Sequence, residues 1–291
     1  MKHLRLPSVE FYITNVCNLA CNGCNRFNNY KFKGFQRWAD YKDIYTKWAD
    51  EIQLDRLGML GGEPLLNPDF FEWVTGLHEL WPTTPMTIVT NAYRLNKVDG
   101  LYEYMLNNRQ VRLKVGIHNK KSKEFIFNIL HKFLKGPLLY NHDNSNIYAE
   151  KVTITDSNNI SILVEYNWWF HQGSLIEKAD GAGFTLYQSN PEKAHKNCSM
   201  KYSYTFINGL LYKCGVAALL PEFDEQYNLE LTPEDRALML GYTGLKITDT
   251  PEFKQEFVSN LPNLIDQCKF CPEEYHGEQI FSEEKKVVFK R

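Results

Sequence analysis

Seven cysteines constrain this chain more than any other feature, because they fall into two groups and leave none over. Cys17, Cys21 and Cys24 form C-x3-C-x2-C near the start. Cys198, Cys214, Cys268 and Cys271 lie toward the other end, the last two as C-x2-C. Thiolates are the usual protein ligands of iron–sulfur clusters. Three of them hold three irons of a four-iron cluster and leave the fourth open, whereas four close a cluster. Structural zinc is the alternative for either group, because it also accepts cysteine sets. Plain buried thiols are a further alternative for the first group.

The chain has 291 residues, enough for one large domain or one with a small appendage. Its net charge of −2 supplies no strong field, so neither nucleic acid nor a membrane surface is an expected partner. Residues Met1 to Pro7 carry no apolar signal segment, and no run is long enough to span a bilayer. A cytoplasmic protein is therefore expected, in which clustered thiols serve as metal ligands rather than disulfides.

Strand-like and helix-like segments alternate through the first two thirds. Val9–Asn15 reads as a strand running into the first cysteine group. Trp38–Leu54 has helical spacing, and Arg56–Leu60 is a strand ending in Gly61-Gly62-Glu63-Pro64. Asp69–Leu80 is helical, and Met86–Thr90 is a strand ending at Asn91. Lys97–Leu106 is helical, Arg112–Ile117 is a strand ending at His118, and Ser122–Leu134 is helical. Lys151–Thr155 and Ile160–Glu165 are strand-like. This alternation predicts an α/β fold around a parallel sheet, open or curved into a partial barrel. Sites in such folds gather at the C-terminal ends of the strands, where all these motifs lie. Gly173–Gly183 reads as a linker, Asn208-Gly209 as a hairpin turn, and the charged tail from Glu278 as loosely ordered.

C-x3-C-x2-C directly after the first strand resembles the signature of the radical S-adenosylmethionine (SAM) superfamily. The resemblance implies a partial (β/α)6 barrel and a four-iron cluster whose open iron binds SAM. Reductive cleavage of SAM would then give a radical that abstracts a hydrogen atom from the substrate. Gly61, Gly62, Glu63 and Pro64 resemble the family's GGEP motif, which binds the SAM amino group. Thr90 and Asn91 stand where the family places polar contacts to the SAM carboxylate or ribose, and His118 where it places a ribose contact. The family usually has an aromatic residue just before the third cysteine, but this chain has Gly23. Adenine packing would fall to another ring, with Phe27 the candidate.

Cys198, Gly209 and Cys214 are similar in spacing to the opening of the SPASM extension of that superfamily. Four cysteines in all match its shortened "twitch" form, a small hairpin-plus-helix domain with one auxiliary 4Fe–4S cluster. The expected division is 1–183 for the barrel and 184–291 for the auxiliary domain. The resemblance thus implies two 4Fe–4S clusters, SAM, and a reducing partner such as flavodoxin or ferredoxin. A closed auxiliary cluster suits electron transfer, and the layout is similar to that of twitch-bearing aminocyclitol dehydrogenases. With every cysteine assigned, a thiol-dependent epimerase is disfavoured.

The expected reaction is oxidation of a small polar molecule such as a sugar, an aminocyclitol or a nucleotide-linked sugar. The strand beginning at Val9 leaves no room for a leader-binding domain, which tilts the choice away from a peptide substrate. A peptide-modifying maturase, a radical dehydratase or epimerase, and a non-catalytic iron–sulfur or zinc protein are the alternatives. Glu165 and His171 flank an aromatic stretch and are candidates to accept a proton from the substrate. Arg26, Arg94 and Arg112 are candidates to meet an anionic group.

Overall fold

The computed structural model describes residues 4–21, 24–30, 33–143, 149–167, 175–177, 183–198, 200–274 and 282–284. Its centre is a nine-stranded mixed sheet. Six strands in the middle run parallel, in the order Tyr204–Ile207, Val9–Tyr12, Leu57–Leu60, Met86–Thr90, Val111–Ile117 and Ser161–Asn167. Leu210–Tyr212 closes one edge as a hairpin partner. Ala149–Thr155 and Leu139–Asp143 extend the other edge antiparallel. The chain is therefore α/β as expected, with a mixed sheet at its centre.

The helices Trp38–Glu51, Phe70–Leu80, Leu101–Asn107 and Lys123–Phe133 fall between successive strands. Period-two alternation decides which face they cover. In Met86–Thr90 the residues Met86, Ile88 and Thr90 are buried, and the two between them are less so. In Val9–Tyr12 the fully buried Val9 and Phe11 belong to the main core, and Glu10 takes the opposite face. Phe11 stacks on Phe206 at 5.2 Å and meets Tyr45 edge-on at the same distance. Trp48 joins this aromatic cluster and donates from Nε1 to the Gly209 carbonyl at 2.9 Å. These rings lock the late hairpin onto the first helix.

Three expectations shift. The helix from Trp38 stops at Glu51, because Ile52–Leu54 pairs in parallel with Leu4–Leu6 and alternates buried, exposed, buried. The helix expected from Lys97 starts at Leu101, after a short 3-10 turn and the left-handed Gly100 (φ 78°). Within the tail, Ser282–Glu284 pairs antiparallel with Leu19–Cys21 and so supplies backbone partners for the cysteine loop.

The hairpin assigned from sequence to the C-terminal unit hydrogen-bonds to the first strand, so the sheet crosses residue 183. A second apolar core lies outside the main one. It gathers Leu219, Leu220 and Phe223 of the helix Gly215–Tyr227 with Met239, Phe270, Tyr12 and Phe27. Among the described residues no helix is long and apolar enough to cross a membrane.

Asn208 (φ 52°) and Gly209 (φ 76°) are both left-handed, as a two-residue hairpin turn of primed type requires. A Cβ at Gly209 would also lie 3.0 Å from Ile44. Gly209→Ala should therefore destabilise the fold by about 1–2 kcal/mol. The measurement is the urea unfolding midpoint, and an unchanged midpoint would contradict this account of the turn.

Candidate functional site

A cavity of about 240 Å³ opens at the C-terminal ends of the parallel strands. Cys17, Cys21 and Cys24 line it together with Gly61, Gly62 and Glu63. Thr90, Asn91, His118 and Glu165 also face it. The structure thus brings together motifs from five separate strand ends. A larger cavity of about 860 Å³, near Arg5, Asp55 and Trp81, lies at the opposite ends and holds none of these residues.

The Gly-Gly-Glu-Pro loop is held against the cysteine loop by two backbone hydrogen bonds. Gly62 N donates to Thr14 O, and Glu63 N donates to Val16 O, both at 2.8 Å. The glycines make this approach possible. A Cβ at Gly61 would fall 2.6 Å from Thr14 O, and one at Gly62 would fall 2.3 Å from Val16 O and 3.0 Å from Cys17 Cβ. Their first service is to seat the cysteine loop, a steric role that the motif alone did not reveal.

Glu63 is buried, with 1% exposure, and both its oxygens accept hydrogen bonds. Oε1 accepts from Thr90 Oγ1 at 2.6 Å and from Leu65 N at 3.1 Å. Oε2 accepts from Asn91 N at 2.7 Å. None of these three donors is charged. Burial pushes the Glu63 pKa up to about 7, opposed by those hydrogen bonds. A carboxylate fixed in this way is complementary to an ammonium ion, so the donor set fits the amino group of SAM.

Thr90 and Asn91 are largely engaged within the protein. Thr90 Oγ1 accepts from Ala92 N at 2.9 Å while it donates to Glu63. Asn91 Oδ1 accepts from Tyr93 N, and its Nδ2 donates to Asn18 at 2.8 Å. Both residues position Glu63 and the turn around the left-handed Ala92 (φ 64°). His118 is half-buried in the cavity wall, and desolvation pushes its pKa down to about 4, which leaves the ring neutral near pH 7. Pro64 is buried in the short 3-10 turn behind Glu63.

Burial, and then the Glu63 carboxylate, raise the Cys17 thiol. A bound metal would have to displace its proton. Leu19 N donates to Cys17 Sγ at 3.4 Å, the kind of contact that supports a thiolate. Phe27 does not meet the expectation of an adenine platform. It is fully buried in the second core, with its ring 5.4 Å from Phe223.

Glu165 is bridged by Lys114 at 2.7 Å and Lys151 at 3.2 Å. Burial pushes its pKa up, but the two lysines outweigh that and hold it below the usual carboxylate range. It is therefore ionised in the cavity wall. His171 and the aromatic stretch 168–170 lie outside the described residues. Arg26 is buried, lines the cavity and pairs with Glu10. Arg94 and Arg112 are exposed and do not line it. The sequence reading passed over Glu10 and Lys114. Their signal is a charge alternating with buried apolar residues in Val9–Tyr12 and Val111–Ile117.

The four later cysteines also come together. Cys198, Cys214, Cys268 and Cys271 line one small cavity of about 30 Å³. They arrive from the end of the helix Pro191–Asn197, the residue before the helix Gly215–Tyr227, and the turn Asp266–Phe270 with the residue after it. A four-iron cluster would seat there only if the lining side chains moved outward. Burial raises the Cys198 and Cys268 thiols. Met200 N donates to Cys198 Sγ at 3.3 Å, repeating the Leu19–Cys17 contact. Lys213, 3% exposed, donates from Nζ to Leu261 O. Burial lowers its pKa and the thiols of Cys268, Cys214 and Cys198 oppose the shift. Met200 borders both cavities. Among the described residues no three His, Cys, Asp or Glu side chains converge on a single-ion site. Cluster ligands bind separate irons and need no such convergence.

Residues 11–136 match the model of the radical SAM superfamily. That stretch, less than half of the chain, is similar to a radical SAM domain. It is 23% identical over 95 residues to the GTP 3',8-cyclase of Nautilia profundicola, covering 32% of this chain and 30% of that protein. It is 25% identical over 85 residues to the GTP 3',8-cyclase of a Sulfurovum species, covering 28% and 26%. The chain thus matches less than a third of the length of these enzymes. SuiB of Streptococcus suis bound to SAM superposes with a TM-score of 0.35 at 20% identity, over 44% of this chain and 31% of that one. BtrN in complex with AdoMet and 2-DOIA superposes with a TM-score of 0.44 at 16% identity, over 95% of this chain and 98% of that one. The family model matched at residues 11–136 is that of an enzyme superfamily, and the matches leave the reaction open.

The Glu63 shift has a testable sign. Its folded pKa of about 7 lies above the unfolded value of about 4.3. Its contribution to stability is therefore present below pH 4 and lost as pH rises through about 7. In the metal-free protein, wild type should lose roughly 3 kcal/mol relative to Glu63→Gln across that window. Urea unfolding at a series of pH values measures it. A constant difference between the two proteins would contradict the assignment.

Proposed function

We propose that this protein is a radical SAM enzyme that oxidises a small polar substrate by two electrons, with a second iron–sulfur cluster as electron acceptor. In this reading residues 1–183 carry the SAM site and residues 184–291 a twitch-like auxiliary unit. Cys17, Cys21 and Cys24 would hold the first cluster, and Glu63 the ammonium of SAM. Cys198, Cys214, Cys268 and Cys271 would supply the ligands of the second. When loaded, the first site supplies hydrogen-atom abstraction and the second an acceptor for one electron.

The observation that carries the reading is the neighbourhood of the two cysteine sites. Met200 borders both cavities, so one side chain stands between the place where a radical would form and the place where its electron would go. The first cavity is lined by the ion-paired Glu10, Arg26, Lys114 and Glu165, which suits a polar substrate rather than an apolar one. For an alcohol, oxidation to a carbonyl removes a hydrogen atom from carbon, one electron and one hydroxyl proton. In this reading Glu165, ionised and paired with Lys114 and Lys151, would take that proton.

Cys17→Ala should abolish reductive cleavage of SAM to 5′-deoxyadenosine under dithionite. Cys268→Ala should leave that cleavage in place, because its thiol belongs to the other site. Product formed by Cys17→Ala at the wild-type rate would overturn the assignment of the first site. Loss of cleavage in a folded Cys268→Ala protein would overturn the separation of roles.

A further inference from the structure

A further cavity continues the inner face of the sheet away from the first site. It has a volume of about 650 Å³, and Val111 and Ser161, which begin their strands, place it toward the N-terminal ends. Period-two alternation links the two cavities. In Met86–Thr90, Thr87 lines the further cavity and Val89 the first one. In Ser161–Asn167, Leu163 lines the further cavity and Glu165 the first one. In Val111–Ile117, Arg112 belongs to the further cavity and Gly116 to the first, and Lys114 between them lines both. One sheet face therefore carries both cavities, with Lys114 at their junction.

The further cavity is cationic. Arg109, Arg112 and Lys114 line it, and none of its lining residues is an aspartate or glutamate. Lys114 is answered by Glu165, but that carboxylate also faces Lys151, so the trio keeps one positive charge. Among the described residues neither arginine has an ion-pair partner. The chain as a whole has a net charge of −2, so this concentration of cations is local. Arg109 is also held in place, because its Nη1 donates to Asn158 O at 2.8 Å. The turn that presents this carbonyl is built on the buried Asp156, whose Oδ1 accepts from Asn158 N and Ile160 N, both at 2.9 Å. Its Oδ2 accepts from Tyr102 OH at 2.6 Å and from Lys135 N at 3.0 Å. The guanidinium is thus fixed at the cavity rim with N–H groups left over for a ligand.

A guanidinium offers its N–H groups as a planar fork that matches phosphate oxygens. Two of them beside a lysine, on a wall without carboxylates, favour a multiply charged anion over a neutral sugar. Arg112 and Gly116 are four residues apart on one strand, a rise of about 13 Å. A ligand that reaches both cavities must therefore be longer than one sugar ring.

We propose that this cavity binds a phosphate or diphosphate arm of the substrate, while the part that reacts lies in the first cavity. The proposal rests on the reading of the first cavity as the site of a radical SAM oxidation, and it narrows the substrate to a phosphorylated polar compound.

The test is calorimetric titration with inorganic pyrophosphate of the full chain, loaded with iron and sulfide and saturated with SAM. Physiological ionic strength screens attraction to exposed surface charges. The wild type should bind pyrophosphate, and Arg109→Gln and Arg112→Gln should each weaken binding by about tenfold or more. Lys42→Gln removes an exposed lysine that lines neither cavity, and should bind as the wild type does. The wild-type titration needs no variant, so absence of binding overturns the proposal even if an arginine variant fails to fold. Wild-type affinity in both arginine variants also overturns it, as does an equal loss in Lys42→Gln. These results leave the radical SAM reading standing, because SAM cleavage tests that reading separately. Pyrophosphate binding by a protein that does not cleave SAM overturns the enzyme reading, and with it the assignment of the anion as a substrate arm.

Discussion

Two backbone hydrogen bonds underlie the first site: Gly62 N to Thr14 O and Glu63 N to Val16 O. They press the loop after Leu57–Leu60 onto the loop that begins the cysteine group. The contact is so close that any side chain at Gly61 or Gly62 would overlap the Thr14–Cys17 backbone or its attached atoms. It fixes the distance between Cys17 and the Glu63 carboxylate, and Thr90 and Asn91 then aim that carboxylate. Adjacent parallel strands make the arrangement possible, because Val9–Tyr12 pairs directly with Leu57–Leu60 and that strand with Met86–Thr90.

The second site depends on the first strand as well. Tyr204–Ile207 pairs with Val9–Tyr12, and the Asn208-Gly209 turn returns the chain to Cys214. Trp48 and Tyr45 of the first helix hold that turn from beneath, through Gly209 O and Gly209 N. The same strand therefore positions one cysteine group at its C-terminal end and a member of the other through its neighbour. This shared support explains how groups almost two hundred residues apart come to flank Met200.

Much of this was legible in the sequence because the chemistry lies where periodicity changes. Cys17, Glu63, Asn91 and His118 each follow a strand recognisable by its apolar alternation, and all four reach one cavity. Tertiary pairing hid the rest. Ile52–Leu54 has a helix before it and becomes a strand only because Leu4–Leu6 lies alongside. Phe27 stands beside the cysteine loop in sequence, but its left-handed backbone (φ 57°) places it in the second core. Glu10 and Lys114 belong to no motif, and only the assembled sheet brings them to the cavity wall.

The most direct measurement is the iron and acid-labile sulfide content of the anaerobically purified chain, set beside the variant lacking Cys17, Cys21 and Cys24. Two neighbouring clusters predict about eight irons and eight sulfides per wild-type chain, and about four of each in the variant. Zinc without labile sulfide at the second site, or a variant stripped of all iron, would contradict the account.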